Sequence, residues 1–93
     1  MRRVRLRQGA VEWRAVEDQV VALDLRASQY FAINRSGTVL WPLLDKGATA
    51  TELTDRLVSE YRIDRASAER DVDEFLTTLE GRGLLDTADA PPA

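Results

Sequence analysis

The apolar residues of the first third of the chain keep a period of two. Val11, Trp13 and Ala15 alternate with Glu12 and Arg14, which predicts a half-buried strand. After a polar break at Glu17-Asp18-Gln19, the next segment places Val21, Leu23 and Leu25 on one face and Val20, Ala22 and Asp24 on the other, and the short connection predicts a hairpin. A second break, Arg26 to Gln29, precedes Tyr30-Phe31-Ala32-Ile33, which is short, β-prone and apolar on both faces. In a three-stranded meander this third strand lies at an edge. An edge with no charge, proline or evident bulge offers its unpaired N–H and C=O groups to any incoming strand, so it is either covered or used for docking.

From Asn34 the period changes to that of helices. Asn34 or Ser36 caps a first helix carrying Val39, Leu40, Leu43 and Leu44, with Trp41 on its flank and its end near Gly47. Pro42 falls inside this segment and is expected to bend it or confine it to short turns. Thr49-Ala50-Thr51-Glu52 has capping-box spacing, and Leu53, Leu57, Val58 and Tyr61 form the apolar stripe of a second helix. Asp64 caps a third helix over residues 65–81, with Ala68, Val72, Phe75, Leu76 and Leu79 on one side before Gly81 and Gly83 stop it. Leu84-Leu85 tucks back onto the core. The order of elements predicts a winged-helix-like α+β fold, a three-stranded antiparallel sheet followed by three helices. Its expected bounds are a basic arm at residues 1–9, one domain over 10–86, and a disordered tail over 87–93 that contains Pro91-Pro92.

Composition narrows the function. A chain of 93 residues has room for one core. No run approaches the roughly 18 apolar residues of a membrane span. The arginine-rich start is followed by no apolar signal region, so the expected location is the cytoplasm. The chain contains neither cysteine nor histidine. It therefore lacks a thiolate nucleophile, the usual general base at neutral pH and the commonest transition-metal ligand. The only lysine, Lys46, reads as part of an exposed helix end. Asp71-Val72-Asp73-Glu74 lacks the turn glycine and spacing of a calcium loop and reads as a solvated helix face. No catalysis and no cofactor are expected. Charge is uneven: residues 1–14 hold five arginines against Glu12, a net +4, while residues 15–93 carry a net −7.

Three stretches combine into a family pattern: Tyr30-Phe31-Ala32-Ile33-Asn34-x-Ser36-Gly37 with Leu40-Trp41-x-Leu43-Leu44; Thr51-Glu52-Leu53 through Leu57 to Tyr61; and Asp71-Val72-x-x-Phe75-Leu76-x-x-Leu79-x-x-x-Gly83-Leu84-Leu85. Over residues 10–85 this resembles the PqqD-like precursor-peptide recognition elements, most closely the B1 type of lasso-peptide biosynthesis. The resemblance implies that a leader peptide adds as an antiparallel strand to the third strand, in a groove walled by the third helix. It also implies that a leader peptidase and a macrocyclase then act on the delivered precursor. The peptide-binding residues expected on this basis are Tyr30, Phe31, Ala32, Ile33, Val72, Asp73, Leu76 and Leu79. Two other readings compete. One is a PqqD-type peptide chaperone for a radical SAM enzyme. The other is a winged-helix DNA-binding regulator, against which stands the excess of Glu69, Asp71, Asp73, Glu74 and Glu80 over Arg65 and Arg70 on the helix that would meet phosphate.

Overall fold

The meander expected from the period-two segments is present, and a second sheet accompanies it. The computed structural model describes residues 3–87. Along them lie β1 (Arg3–Leu6), β2 (Val11–Val16), β3 (Gln19–Asp24), β4 (Gln29–Ala32), α1 (Arg35–Lys46), β5 (Ala48–Thr49), α2 (Ala50–Tyr61), α3 (Arg65–Gly81) and β6 (Leu85–Thr87). Strands β2-β3-β4 form one antiparallel sheet, and β5-β1-β6 form another. The class is α+β as expected, but it is carried by two sheets instead of one.

In the meander, Val20, Ala22 and Asp24 of β3 face inward and are buried, while Val21 and Leu23 are only partly covered. Register explains the choice. Ala22 stands opposite both Trp13 and Phe31, and a methyl group between two large rings lets the sheet close on the helices. The burial of Asp24 is offset by its carboxylate, which accepts the Arg26 and Ala27 N–H groups, each at 3.1 Å, and so shapes the turn into β4.

The basic start of the chain differs from the expected arm. Val4 and Leu6 are each 5% exposed, and β1 pairs with β5 on one side and β6 on the other. Two of its arginines bond within the fold. Arg3 donates to the Gly47 carbonyl at 3.0 Å and lies 3.5 Å from Glu52, while Arg7 meets Asp86 at 2.9 Å. Leu84 and Leu85 are buried, as expected, and lead into β6. Of the expected disordered tail, Thr87 belongs to β6 and residues 88–93 lie outside the described residues.

Helix α1 starts where Asn34 Oδ1 accepts the Gly37 N–H at 2.8 Å and stops at Gly47, whose φ of +98° suits glycine. It runs through Pro42 as one helix, so of the two outcomes expected of that proline, a bend or confinement to short turns, the second does not occur. Proline there removes the bond to the Thr38 carbonyl, but Pro42 is exposed, and burial of Leu40, Trp41 and Leu44 holds the turns on either side. Trp41 is fully buried, not on a flank. The capping box of α2 closes as read: Glu52 N–H to Thr49 Oγ1 at 3.1 Å and Thr49 N–H to Glu52 Oε1 at 2.8 Å. Asp64 caps α3 through the Ser67 N–H at 3.0 Å.

Candidate functional site

Which backbone groups of β4 remain free follows from the ladder. The Ile33 N–H donates to the Val20 carbonyl at 2.9 Å, and the Leu25 N–H donates to the Ala10 carbonyl at 2.9 Å. In an antiparallel ladder N–H and C=O of one residue point the same way, and successive residues alternate. Even-numbered residues of β3 therefore face β4, and Gln29, Phe31 and Ile33 bond inward to them. Tyr30 and Ala32 then direct both backbone groups to the open edge, since β4 ends the sheet. The inner ladder is closed at its end by a side chain: Thr38 Oγ1 accepts the Val20 N–H at 3.2 Å and donates to the Ile33 carbonyl at 3.3 Å. This bolts β3 and the end of β4 to α1.

Side chains alternate in the same register. Phe31 and Ile33 turn inward, whereas Tyr30 is 73% exposed on the outer face, beside Glu12, Val21 and Leu23. Between β4 and α3 runs an open groove of about 390 Å³. Its strand side is Phe31, Ala32 and Ile33; its helix side is Asp71, Glu74, Phe75, Thr78, Leu79 and Arg82; the start of α1 closes one end at Ser36 and Gly37. Gly37 is required by contact: a Cβ there would come within 2.5 Å of Ile33 Cγ2 and 2.7 Å of Phe75 Cε1. Phe75 ties the groove to the core: its ring is edge-on to the buried Trp41 with centroids 6.2 Å apart, and Trp41 is in turn edge-on to Trp13 at 6.4 Å. At the other end the Arg82 guanidinium carbon lies 4.6 Å from the centre of the Phe31 ring.

Of the residues expected to bind peptide, the fold brings Phe31, Ala32, Ile33 and Leu79 into this groove and leaves the Tyr30 side chain outside it, on the outer face of the sheet. Val72 is 2% exposed and belongs to the core; Leu76 packs on the core and Asp73 is exposed, both away from the groove wall. The wall uses the opposite flank of α3. At about 100° per residue, Asp71, Phe75, Thr78 and Arg82 lie to one side of the buried Val72–Leu79 line, and Asp73 and Leu76 to the other. Hydrophobic periodicity identifies the buried line but is silent on which flank faces the sheet. Among the described residues no cluster of carboxylates is placed to hold a metal ion.

The sequence profile described as Coenzyme PQQ synthesis protein D (PqqD) matches residues 19–85, which span β3 to the start of β6. The chain belongs to the PqqD family. Two solved structures resemble this PqqD-family chain closely. One, TbiB1 in complex with the TbiA(beta) leader peptide, is 34% identical with a TM-score of 0.80, over 88% of this chain and 94% of that one. The other, a lasso peptide synthetase B1 complexed with the leader peptide, is 28% identical with a TM-score of 0.76, over 89% of this chain and 96% of that one. No curated protein matches the chain.

Proposed function

We propose that this PqqD-family chain is a non-catalytic recognition element for the leader region of a ribosomally made precursor peptide. The leader adds as an antiparallel strand to β4 and lies in the groove against α3. The observation that carries this reading is the free edge at Tyr30 and Ala32 directly beside a groove lined by the rings of Phe31 and Phe75. It is supported by two similar structures, each solved with a leader peptide.

The binding energy divides naturally. Pairing with Tyr30 and Ala32 makes up to four main-chain hydrogen bonds, each worth about 0.5–1.5 kcal/mol net. Strand pairing is nearly blind to sequence, so discrimination falls to side chains seated against Phe31, Phe75, Thr78 and Leu79. Val72 and Leu76 act from beneath, by fixing the helix that bears the wall. In a lasso-peptide pathway the loaded module delivers the precursor to a leader peptidase and a macrocyclase. The DNA-binding alternative is disfavoured by Asp71 and Glu74 on the open face of α3.

An amide-resolved NMR titration with the TbiA(beta) leader peptide tests the site. Saturable shifts are expected over residues 29–34 and on the Asp71–Arg82 face of α3. Saturation elsewhere, or none at millimolar peptide, refutes the reading.

A further inference from the structure

The groove is electrically polar along its length. Asp71 and Glu74 stand on the wall at the end closed by α1, and Arg82 stands at the end where β4 begins. Arg26 reinforces the second end, its Nη1 lying 3.5 Å from where a Gly83 Cβ would be. Among the described residues neither Asp71 nor Glu74 nor Arg82 enters an ion pair, although five pairs form elsewhere on the protein. The start of α1 contributes only a partial positive charge, about half an elementary charge, against two full carboxylates at its end.

Strand direction converts this polarity into a sequence rule, given the strand-addition reading above. Contacts at the two ends show that β4 and α3 run in opposite senses: Phe31 meets Arg82, and the end of β4 with Gly37 meets Phe75. A peptide antiparallel to β4 enters at the acidic end and leaves at the basic one. Glu74 and Arg82 are eight residues apart, about 12 Å at 1.5 Å per helical residue, which an extended strand covers in about 3.5 residues. Side chains facing α3 recur every second residue, so the nearest same-face spacing is four.

We propose that the groove selects leader segments in which a basic residue precedes an acidic one by four positions, with an apolar residue midway over Phe75 and Thr78. Charge order, and not charge content, is what it reads.

The test uses two capped peptides of identical composition, GTTKTLTETTG and GTTETLTKTTG, titrated against the full chain by NMR. The first is expected to bind about three- to tenfold more tightly at low salt, since two exposed ion pairs are each worth about 0.2–1 kcal/mol. The preference should shrink in 0.5 M NaCl, where screening acts within a few ångströms. The double variant E74R/R82E, confirmed folded by circular dichroism, should prefer the second peptide. Equal affinity for both peptides, with β4 amides shifting, overturns the charge rule and leaves strand addition standing. If neither peptide shifts β4, strand addition itself fails and the rule falls with it.

Discussion

Adjacent residues of β4 should respond oppositely to proline. At Ala32 the N–H faces the open edge, so Ala32→Pro removes one prospective bond to the leader, and its ring occupies the space of the incoming carbonyl, spoiling the second bond of the same pair. The loss in binding is about 1–3 kcal/mol, roughly a 5- to 150-fold weaker Kd. The fold should survive, because Ala32 is exposed and ends its strand. At Ile33 the N–H bonds inward to Val20 at 2.9 Å, and the side chain is 5% exposed. Ile33→Pro breaks that bond and its packing, at about 3 kcal/mol or more. For a domain of this size that lowers Tm by about 12–24 °C. Thermal denaturation followed by circular dichroism, with fluorescence anisotropy of labelled TbiA(beta) leader peptide, reads both quantities. A folded Ala32→Pro variant of unchanged affinity would remove the β4 edge from the interface. An unfolded one beside a stable Ile33→Pro would invert the ladder assignment.

Trp41 is fully buried with an indole N–H that has no partner among the described residues, so Trp41→Phe should cost under about 1.5 kcal/mol whereas Trp41→Ala costs about 3–5 kcal/mol; equal losses in urea denaturation would show that N–H to be satisfied. Phe75→Ala removes a ring from the groove wall and should lower stability by about 2–3 kcal/mol and weaken leader binding at least tenfold, whereas Leu76→Ala should lower stability alone; calorimetry on folded variants separates them. Helix capping should set the acid response. The Thr49 N–H donated to Glu52 and the Ser67 N–H donated to Asp64 hold both carboxyls below the usual carboxylate range. Groups depressed on folding stabilise above their unfolded pKa, about 4, and lose that contribution as pH falls through the folded values. Stability should thus decline below about pH 4.5, and less steeply in the E52Q/D64N variant; parallel pH profiles would discount the caps.

The elements that sequence predicts best are those whose signals are local. The caps at Asn34, Thr49 and Asp64 require only a side chain and a backbone N–H three residues on. The meander needs only alternation and two turns. Strand β1 was hidden by its charges: Arg3-Val4-Arg5-Leu6-Arg7 alternates as well as β2 does, but its arginines suggest a solvated arm. Its partners are remote, since Val4 pairs with Ala48 and with Thr87, and no local pattern encodes pairing over such distances. The groove wall was half legible for a similar reason. Identifying the flank of α3 that meets the sheet requires the contact of Phe75 with Gly37 and Ile33, which joins three elements.

The pairing of Val4 with Thr87 brings the two extremities of the described chain side by side, about 5 Å apart between Cα atoms. They meet in the β5-β1-β6 sheet, whereas the docking edge belongs to the meander. A domain tied off in this way can be spliced into a surface loop of a host enzyme through two short joints. It can also be circularly permuted by linking residues 4 and 87 and opening the Glu17-Asp18 turn, with the β4 edge left intact.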